Sequence, residues 1–211
     1  MLEANQVDGI ISGSHNLGIE DYNRVTAPII AFDRNLSPEI PVVSSDNYAG
    51  GVLAAETLVK TGARNIIMIT GNDNSNSPTG LRHAGFASVL PESMIINVSS
   101  DFSPIRKEME IKNILKHREP DAIFASDDLT AILIMKVAQE LEIKIPEDLK
   151  VIGYDGTYFV ENYYPQLATI QQPLKDIACL LVDLLLRKIA GEEVVKTGYF
   201  LPVHLSSGKS I

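Results

Sequence analysis

Residues 121–141 read DAIFASDDLTAILIMKVAQEL, and this stretch decides the fold class. It begins with a short apolar run, AIFA, which is typical of strands buried on both faces of a parallel sheet. Asp127 then stands where a helix N-cap is expected, and the apolar residues at 129, 132, 133 and 137 recur at helical spacing. The stretch therefore predicts a buried strand, a polar turn and a helix over residues 129–141.

The same alternation extends in both directions along the chain. Similar apolar runs lie at residues 9–11, 28–32, 65–69, 93–98 and 150–154. A helix is predicted from the N-cap Asp46 to Lys60, with Gly62 as its stop. Strands that alternate with helices in this way predict an α/β fold with parallel sheets.

The sequence predicts a third helix over residues 174–189, which Pro173 opens and Gly191 ends. Its polar residues at 176, 183 and 187 share one stripe, so we expect the rest of its circumference to be buried. The single cysteine, Cys179, lies in this apolar stretch and is interpreted as a buried core thiol, since one cysteine forms no internal disulfide.

Composition excludes several classes of function. The chain has 211 residues, and 18 Lys and Arg against 27 Asp and Glu give a net charge of −9. Such an acidic chain is repelled by phosphate backbones, so we do not expect these residues to contact DNA or an anionic membrane. No basic segment followed by an apolar core opens the chain and no apolar stretch is long enough to span a bilayer, so a cytoplasmic protein is expected.

Catalytic, cofactor and metal signatures are absent from the sequence. Neither GxGxxG nor GxxxxGK[ST] occurs, and HExxH, CxxC and GxSxG are missing as well. Histidines 15, 83, 117 and 204 do not have the spacing of metal ligands. We therefore predict no catalytic residues, no metal and no cofactor.

Polar residues follow several of the predicted strands, at positions 12–16, 33–35, 126–128 and 155–157. In an open parallel sheet the loops after the strands line the binding crevice. Carboxylates, amides, hydroxyls and an arginine that converge there are suited to a polyhydroxylated ligand.

Seven segments carry a resemblance to a known family. They are VDGII (7–11), PIIAFDR (28–34), SSDNYAGGVLAAETLVKTGARNIIMITG (44–71), RHAGF (82–86), DAIFASDDLTAI (121–132), IPEDLKVIGYDG (145–156) and LATIQQP (167–173). In this order and at this spacing they resemble the effector-binding region of LacI/GalR-family transcriptional regulators. Within that family, residues 12–22 and 40–51 look most like regulators of sucrose or ribose operons.

The resemblance implies two Rossmann-like lobes with parallel sheets, like a periplasmic binding protein, linked by three crossovers. Residues 1–43 and 172–198 would form the N-terminal lobe, which would lack its first strand. Residues 44–171 and 199–211 would form the C-terminal lobe, and the helix-turn-helix headpiece would precede this chain. Family members are usually dimers, so a homodimer is expected.

Effector contacts follow from the resemblance at individual positions. Arg82 matches the family's ligand-binding arginine, and Asp33 and Asp155 match carboxylates that reach the ligand. Ser126 stands where an Asn is frequent, and Gln172 matches a contact near a crossover. Phe102 matches an aromatic residue that stacks on the ligand ring. Asn76 and Gly13 lie near further contact positions.

Several of these positions have structural alternatives. Asp33 could cap a loop, Phe102 could pack in the core, and Arg82 could be a surface arginine on a helix. The adjacent carboxylates Asp127 and Asp128 could suggest metal binding or acid–base work. Adjacent residues on a helix do not face each other, so Asp127 is interpreted as a helix cap instead.

Two functions from different classes fit this pattern. The first is a repressor in which a small sugar bound between the lobes changes operator affinity through the headpiece. The second is the solute-binding protein of a sugar transporter, which shares the fold. An α/β enzyme is disfavoured because no catalytic constellation emerges.

Overall fold

The computed structural model describes residues 7–13, 25–71 and 77–211. The chain divides into two compact units, each of which is described here by itself. The first comprises Met1–Asp46 and Pro173–Pro202, and the second comprises Asn47–Gln172 and Val203–Ile211.

The described residues form ten strands and six helices. The strands are β1 (Ile10–Ser12), β2 (Ile29–Phe32), β3 (Val42–Ser45), β4 (Ile66–Thr70), β5 (Ile95–Asn97), β6 (Ala122–Ala125), β7 (Lys150–Asp155), β8 (Ala168–Gln171), β9 (Gly198–Leu201) and β10 (His204–Ser206). The helices are α1 (Asn47–Lys60), α2 (Pro78–Val89), α3 (Pro104–Arg118), α4 (Asp128–Glu140), α5 (Tyr158–Tyr163) and α6 (Leu174–Ile189). Among the described helices, none combines the length and the apolar character needed to cross a membrane.

The first unit is built on a four-stranded parallel sheet in the order β1-β2-β3-β9. Side chains that alternate along β2 serve two cores. Ile30 packs with Val43 against α6 on one face, whereas Ile29 and Ala31 pack with Leu36 on the other. This arrangement confirms the predicted parallel α/β class for this unit.

Helix α6 contradicts two predictions. It buries Ile177, Leu181 and Leu184 against the sheet, but Val182 and Leu186 are exposed. Cys179 is exposed as well, so the interpretation as a core thiol is wrong. A helix that lies on one face of a sheet buries only a stripe of its surface, and apolar composition alone does not show which side that stripe occupies.

The second unit is built on a six-stranded sheet in the order β10-β8-β7-β6-β4-β5. All of its neighbouring strands are parallel except β10, which runs antiparallel to β8. The chain enters at β4, places β5 on one side of it and β6 on the other, and then continues outward from β6. The strands that follow β4 and β6 along the chain, β5 and β7, therefore lie on opposite sides of this pair. Ligands bind at such a switch point in open α/β sheets.

Helices cover both faces of this second sheet. Apolar residues of α3 and α4, including Ile111, Ile134 and Val137, form one core. Residues of α1 and α2, including Leu58 and Phe86, form the other. Because both faces are covered, the inner strands β4 and β6 are apolar along nearly their whole length, as the sequence predicted.

The boundary near the C-terminus differs from the expectation. We expected residues 199–211 in the C-terminal lobe, but β9 pairs with β3 in the first sheet. Only residues from Val203 onward join the second unit, where β10 pairs with β8. Only Pro202 and Val203 separate the two short strands, so the sequence contains no linker that marks where the chain changes sheets.

Candidate functional site

Arg82 is the central side chain of the candidate site, and it lies on α2, the helix that follows β4. Pro78 opens this helix, and the Ser77 hydroxyl caps it by accepting from the backbone N–H of Gly80. Arg82 is only 6% exposed. An arginine is rarely buried to this extent unless its donors are engaged.

The guanidinium of Arg82 is held by three neighbours. Its Nε donates to Asn47 Oδ1 at 2.8 Å, and its Nη1 donates to the backbone carbonyl of Ser126 at 2.6 Å. Its plane lies over the Tyr154 ring, with the Cζ atom 3.6 Å from the ring centre. Hydrogen bonds and a cation–π contact together fix the orientation of a planar, permanently charged group.

Asp155 ends β7 and faces this arginine. Its Oδ1 lies 3.6 Å from Arg82 Nη2, and about a third of its side chain is exposed, whereas that of Arg82 is buried. Gln172 donates from its Nε2 to the same Oδ1 at 2.7 Å. A carboxylate beside a guanidinium, with part of its surface open, can accept from ligand hydroxyls while the arginine donates to them.

The backbone at Asp155 adopts an unusual conformation. Its φ is +122°, and Gly156, the next residue, has a φ of +61°. A positive φ is costly for a residue with a side chain and persists where the surroundings impose it. The turn after β7 is therefore held in place by its neighbours.

Asp128 lies at the start of α4, adjacent to this turn, and is 3% exposed. Burial raises the pKa of its carboxyl from 3.8 to about 6; the Thr169 hydroxyl and the Gly156 N–H counteract this rise, and the charges of Asp155 and Asp127 add to it. A carboxylate with a pKa so near neutrality is a common feature of functional sites.

Ser126 follows β6 and contacts the arginine through its backbone. Its side chain is buried, and its hydroxyl lies 3.4 Å from Asp127 Oδ2. Asp127 caps α4, because its Oδ1 accepts from the backbone N–H of Thr130 at 2.8 Å, as the sequence predicted. The structure thus places Arg82, Ser126, Asp155 and Gln172 together at the carboxyl edge of the second sheet.

Phe102 follows β5 and is not in contact with the arginine cluster. It is partly buried and packs against the core that α3 and α4 form. The guanidinium of Arg106 covers its ring, with Cζ 3.6 Å from the ring centre. One face of the Phe102 ring is therefore covered by an arginine.

Gly13 and Asp33 belong to the first unit, where they follow the neighbouring strands β1 and β2. Asp33 has a φ of +62°, and its Oδ1 accepts from the Ser44 hydroxyl at 2.7 Å. Gly13 lies beside the Phe32 ring, which a Cβ at position 13 would approach to 3.2 Å. Asn76 lies outside the described residues.

The structure adds residues that were not among the expected effector contacts. Asn47 and Tyr154 orient Arg82, and Asp128 and Thr169 support the turn at Asp155. The sequence did contain a signal for Asp128, because it is a second carboxylate directly after the helix cap Asp127 and close to the end of a buried strand. Within the described ranges, no three His, Cys, Asp or Glu side chains are grouped so that they could hold a metal ion.

Comparison with known proteins identifies the family. A family model described as a periplasmic binding protein-like domain matches residues 55–211. The chain belongs to this family. It is 64% identical over 211 residues to the sucrose operon repressor of Streptococcus mutans. The aligned part covers 100% of this chain and 66% of that protein. The chain thus spans somewhat less than two thirds of the length of this relative.

Solved structures give the same result. A periplasmic binding protein/LacI transcriptional regulator from Alkaliphilus metalliredigens, complexed with D-xylulofuranose, is 30% identical with a TM-score of 0.87, covering 100% of this chain and 80% of that one. A LacI family transcriptional regulator from Enterococcus faecalis with bound ribose is 28% identical with a TM-score of 0.84, covering 97% and 79%. The resemblance to LacI/GalR regulators, which the seven segments indicated, is confirmed.

Proposed function

We propose that this chain is the sugar-sensing core of a DNA-binding transcriptional repressor. The observation that carries the proposal is the buried Arg82, fixed opposite the part-exposed Asp155 at the switch point of the second sheet. The high identity to a sucrose operon repressor supports a regulator over the solute-binding protein of a transporter. Such a protein would act in the cytoplasm, where the operator is.

The site chemistry favours a neutral sugar. Arg82 donates hydrogen bonds, Asp155 accepts them, and Gln172 can do both, which is the combination that vicinal hydroxyls require. Phe102 would offer an apolar ring to the sugar face once Arg106 moves aside. Asp33, Gly13, Ser126 and Asn76 complete the proposed set of effector contacts.

Operator binding would reside in a helix-turn-helix domain upstream of these residues. With a net charge of −9, the chain described here is unsuited to a phosphate backbone. The effector would act by binding one of two conformations of the repressor more tightly than the other, since only a difference in affinity shifts such an equilibrium.

A homodimer is part of the proposal. Leu129 and Tyr158, at the start of α4 and of α5, are 71% and 76% exposed, and Tyr163 at the end of α5 is 68% exposed. The two helix starts are adjacent, because Asp128 bonds to the backbone of Gly156. Large apolar side chains exposed together mark interaction surfaces, and we infer that a second copy of the chain covers them.

The proposed site is tested by calorimetry and thermal shift with sucrose, ribose and their phosphates. A sugar that binds the native state raises the apparent stability of the wild type. Arg82→Lys should weaken its binding by about tenfold or more, because lysine lacks the planar fork that Asn47 and the Ser126 carbonyl hold. Asp155→Asn should weaken it comparably, because a charged acceptor is lost.

Matched controls separate the site from general damage. Arg118→Ala and Asp183→Asn alter exposed charges on α3 and α6 and should leave the binding unchanged. Circular dichroism of each variant checks the fold. Full affinity for the sugar in both Arg82→Lys and Asp155→Asn would refute the site, and the absence of any sugar-dependent stabilisation of the wild type would refute the sugar proposal.

A further inference from the structure

One buried carboxylate beside the site joins three elements of the second unit. Asp128, in the first turn of α4, accepts from the backbone N–H of Gly156 through Oδ2 at 2.8 Å. It also accepts from the Thr169 hydroxyl, on β8, through Oδ1 at 2.6 Å. Both oxygens therefore receive donors, and α4 is tied to the turn after β7 and to the neighbouring strand.

The turn that Asp128 holds is the one that carries Asp155. Three further hydrogen bonds fix the same turn. The Asp155 carbonyl accepts from the backbone N–H of Gln172 at 3.0 Å, its carboxylate accepts from the Gln172 amide, and the Gly156 carbonyl accepts from the Gln171 amide at 3.2 Å. Asp128 supplies the partner of the Gly156 N–H, so it completes the set that maintains the positive φ at Asp155.

Strand β7 leaves space for the Asp128 carboxylate. Gly153 of β7 faces Asp128, and a Cβ built at position 153 would collide with Asp128 Oδ1. No ion pair is formed by Asp128 among the described residues, so its burial is costly and hydrogen bonding alone compensates for it. Asp128 is destabilising when buried, and yet it fits closely against the turn. Its role in fixing the turn explains this better than core packing does.

We propose that Asp128 is a positioning residue for effector binding, which fixes the Asp155–Gly156 turn and holds it more firmly when ionised. The inference rests on the proposed function, in which Asp155 contacts the effector. Asp128 acts through Gly156 and does not itself contact the sugar.

The charges around Asp128 determine how the turn responds to pH. Two carboxylates face it, those of Asp127, the N-cap of α4, and of Asp155, the last residue of β7. From β8 it meets the neutral Thr169 hydroxyl. Arg82 faces Asp155 and not Asp128. When Asp128 is protonated, the Thr169 hydroxyl can turn to accept, and the Gly156 bond remains but loses its charge assistance. The turn should therefore loosen below a pH of about 6.

The first test observes the turn without any ligand. The Gly156 amide is followed by ¹⁵N–¹H NMR and hydrogen exchange from about pH 5 to pH 8. We expect its chemical shift to inflect near a pH of 6 in the wild type. The inflection should vanish in Asp128→Asn and move upward in Thr169→Val, because the Thr169 hydroxyl lowers the pKa of Asp128.

The second test uses sucrose as the probe, with affinity measured by calorimetry at pH 7.5 and pH 5.5. Asp128→Asn can accept from Gly156 and donate to Thr169, so it should bind within about threefold of the wild type at both pH values. The affinity of the wild type for sucrose should fall about threefold from pH 7.5 to pH 5.5. The affinity of Asp128→Ala for sucrose should be lower by about tenfold or more, because the Gly156 N–H is left unpaired.

The outcomes separate this inference from the proposed function. If the wild type does not bind sucrose, the sucrose assignment fails, and the Gly156 amide still decides whether Asp128 holds the turn. The positioning role is overturned if Asp155→Asn loses sucrose binding while Asp128→Ala keeps it. It is overturned as well if the Gly156 amide is as protected from hydrogen exchange in Asp128→Ala as in the wild type. Where Asp128→Ala does not fold, Thr169→Val and Asp128→Asn supply the comparison.

Discussion

At the scale of single residues, the site combines groups that are unfavourable for stability. Arg82 is a buried cation, Asp128 is a buried acid, and Asp155 has a strained backbone. Each is retained because its neighbours satisfy its hydrogen bonds, and together they keep a charged pair rigid at one edge of the sheet. Binding sites commonly contain groups that reduce the stability of the free protein.

The raised pKa of Asp128 predicts how the free energy of unfolding depends on pH. In the unfolded chain its carboxyl has a pKa of 3.8, and in the folded protein its pKa is about 6. Between these values the unfolded state has released the proton while the folded state still binds it, so the free energy of unfolding falls as the pH rises. At neutral pH the loss amounts to about 3 kcal/mol.

Asp128→Asn should remove this contribution. Urea denaturation at a series of pH values would then show the variant gaining stability relative to the wild type as the pH rises through the same window. The sign is opposite to that of a salt-bridged carboxylate, whose pKa is lowered by folding. A constant difference between the two proteins across the window would contradict the raised pKa.

At the scale of elements, the close contact of α1 with α2 positions Arg82. A Cβ at Gly51 would collide with the Arg82 carbonyl, and a Cβ at Gly85 would collide with the Tyr48 carbonyl. The two helices approach each other through glycine on both sides, which lets Asn47 on α1 reach the guanidinium on α2. Here glycine is required by close packing of backbones.

Gly51→Ala should therefore push the two helices apart. We expect a destabilisation of about 1–3 kcal/mol from overpacking, despite the better helix propensity of alanine. Arg82 should also be displaced, so sugar affinity should fall together with stability. Urea denaturation and calorimetry measure the two effects.

The matched control lies on the same helix. Val59→Ala changes an exposed residue of α1 and should alter the free energy of unfolding by about 0.5 kcal/mol or less. If Gly51→Ala is as stable as the wild type and binds equally well, the contact between α1 and α2 does not position the arginine.

At the scale of the whole molecule, the exposed surface around Leu129, Tyr158 and Tyr163 is the proposed dimer interface. Tyr163→Asp should shift the protein toward the monomer in sedimentation velocity, since it places a charge in an apolar contact. Sugar affinity should change little, because Tyr163 is not among the proposed contacts. Lys188→Asp, which adds the same side chain on α6, serves as the control. A wild type that is monomeric at high concentration would contradict the interface.

Much of the fold follows from the sequence because local signals agree with one another. The observed α4 begins and ends within one residue of the prediction, since a cap and a helical period coincide there. Strands β3, β8 and β10 were not among the apolar runs, because they are short and contain polar residues such as Ser44 and Thr169. Their pairing partners are distant in sequence, and only the assembled sheet shows them.

The candidate site was predictable in part. Arg82 and Asp155 were identified through segments that resemble a family, whereas Asn47 and Tyr154 were not, since nothing local marks a residue that orients another. Phe102 was expected to offer its ring to a ligand, but Arg106, one turn along, covers it. A contact between side chains four residues apart depends on rotamers, which sequence spacing does not specify.

The sequence by itself determined the α/β class, the boundaries of α1, α4 and α6, and the acidic character of the chain, because these depend on periodicity, caps and composition. The tertiary structure alone decided which side of α6 is buried, where β9 leaves for the first sheet, and which donors meet Asp128. Those features join residues tens of positions apart. Their geometry is set by how strands are ordered in a sheet, and no local pattern encodes that order.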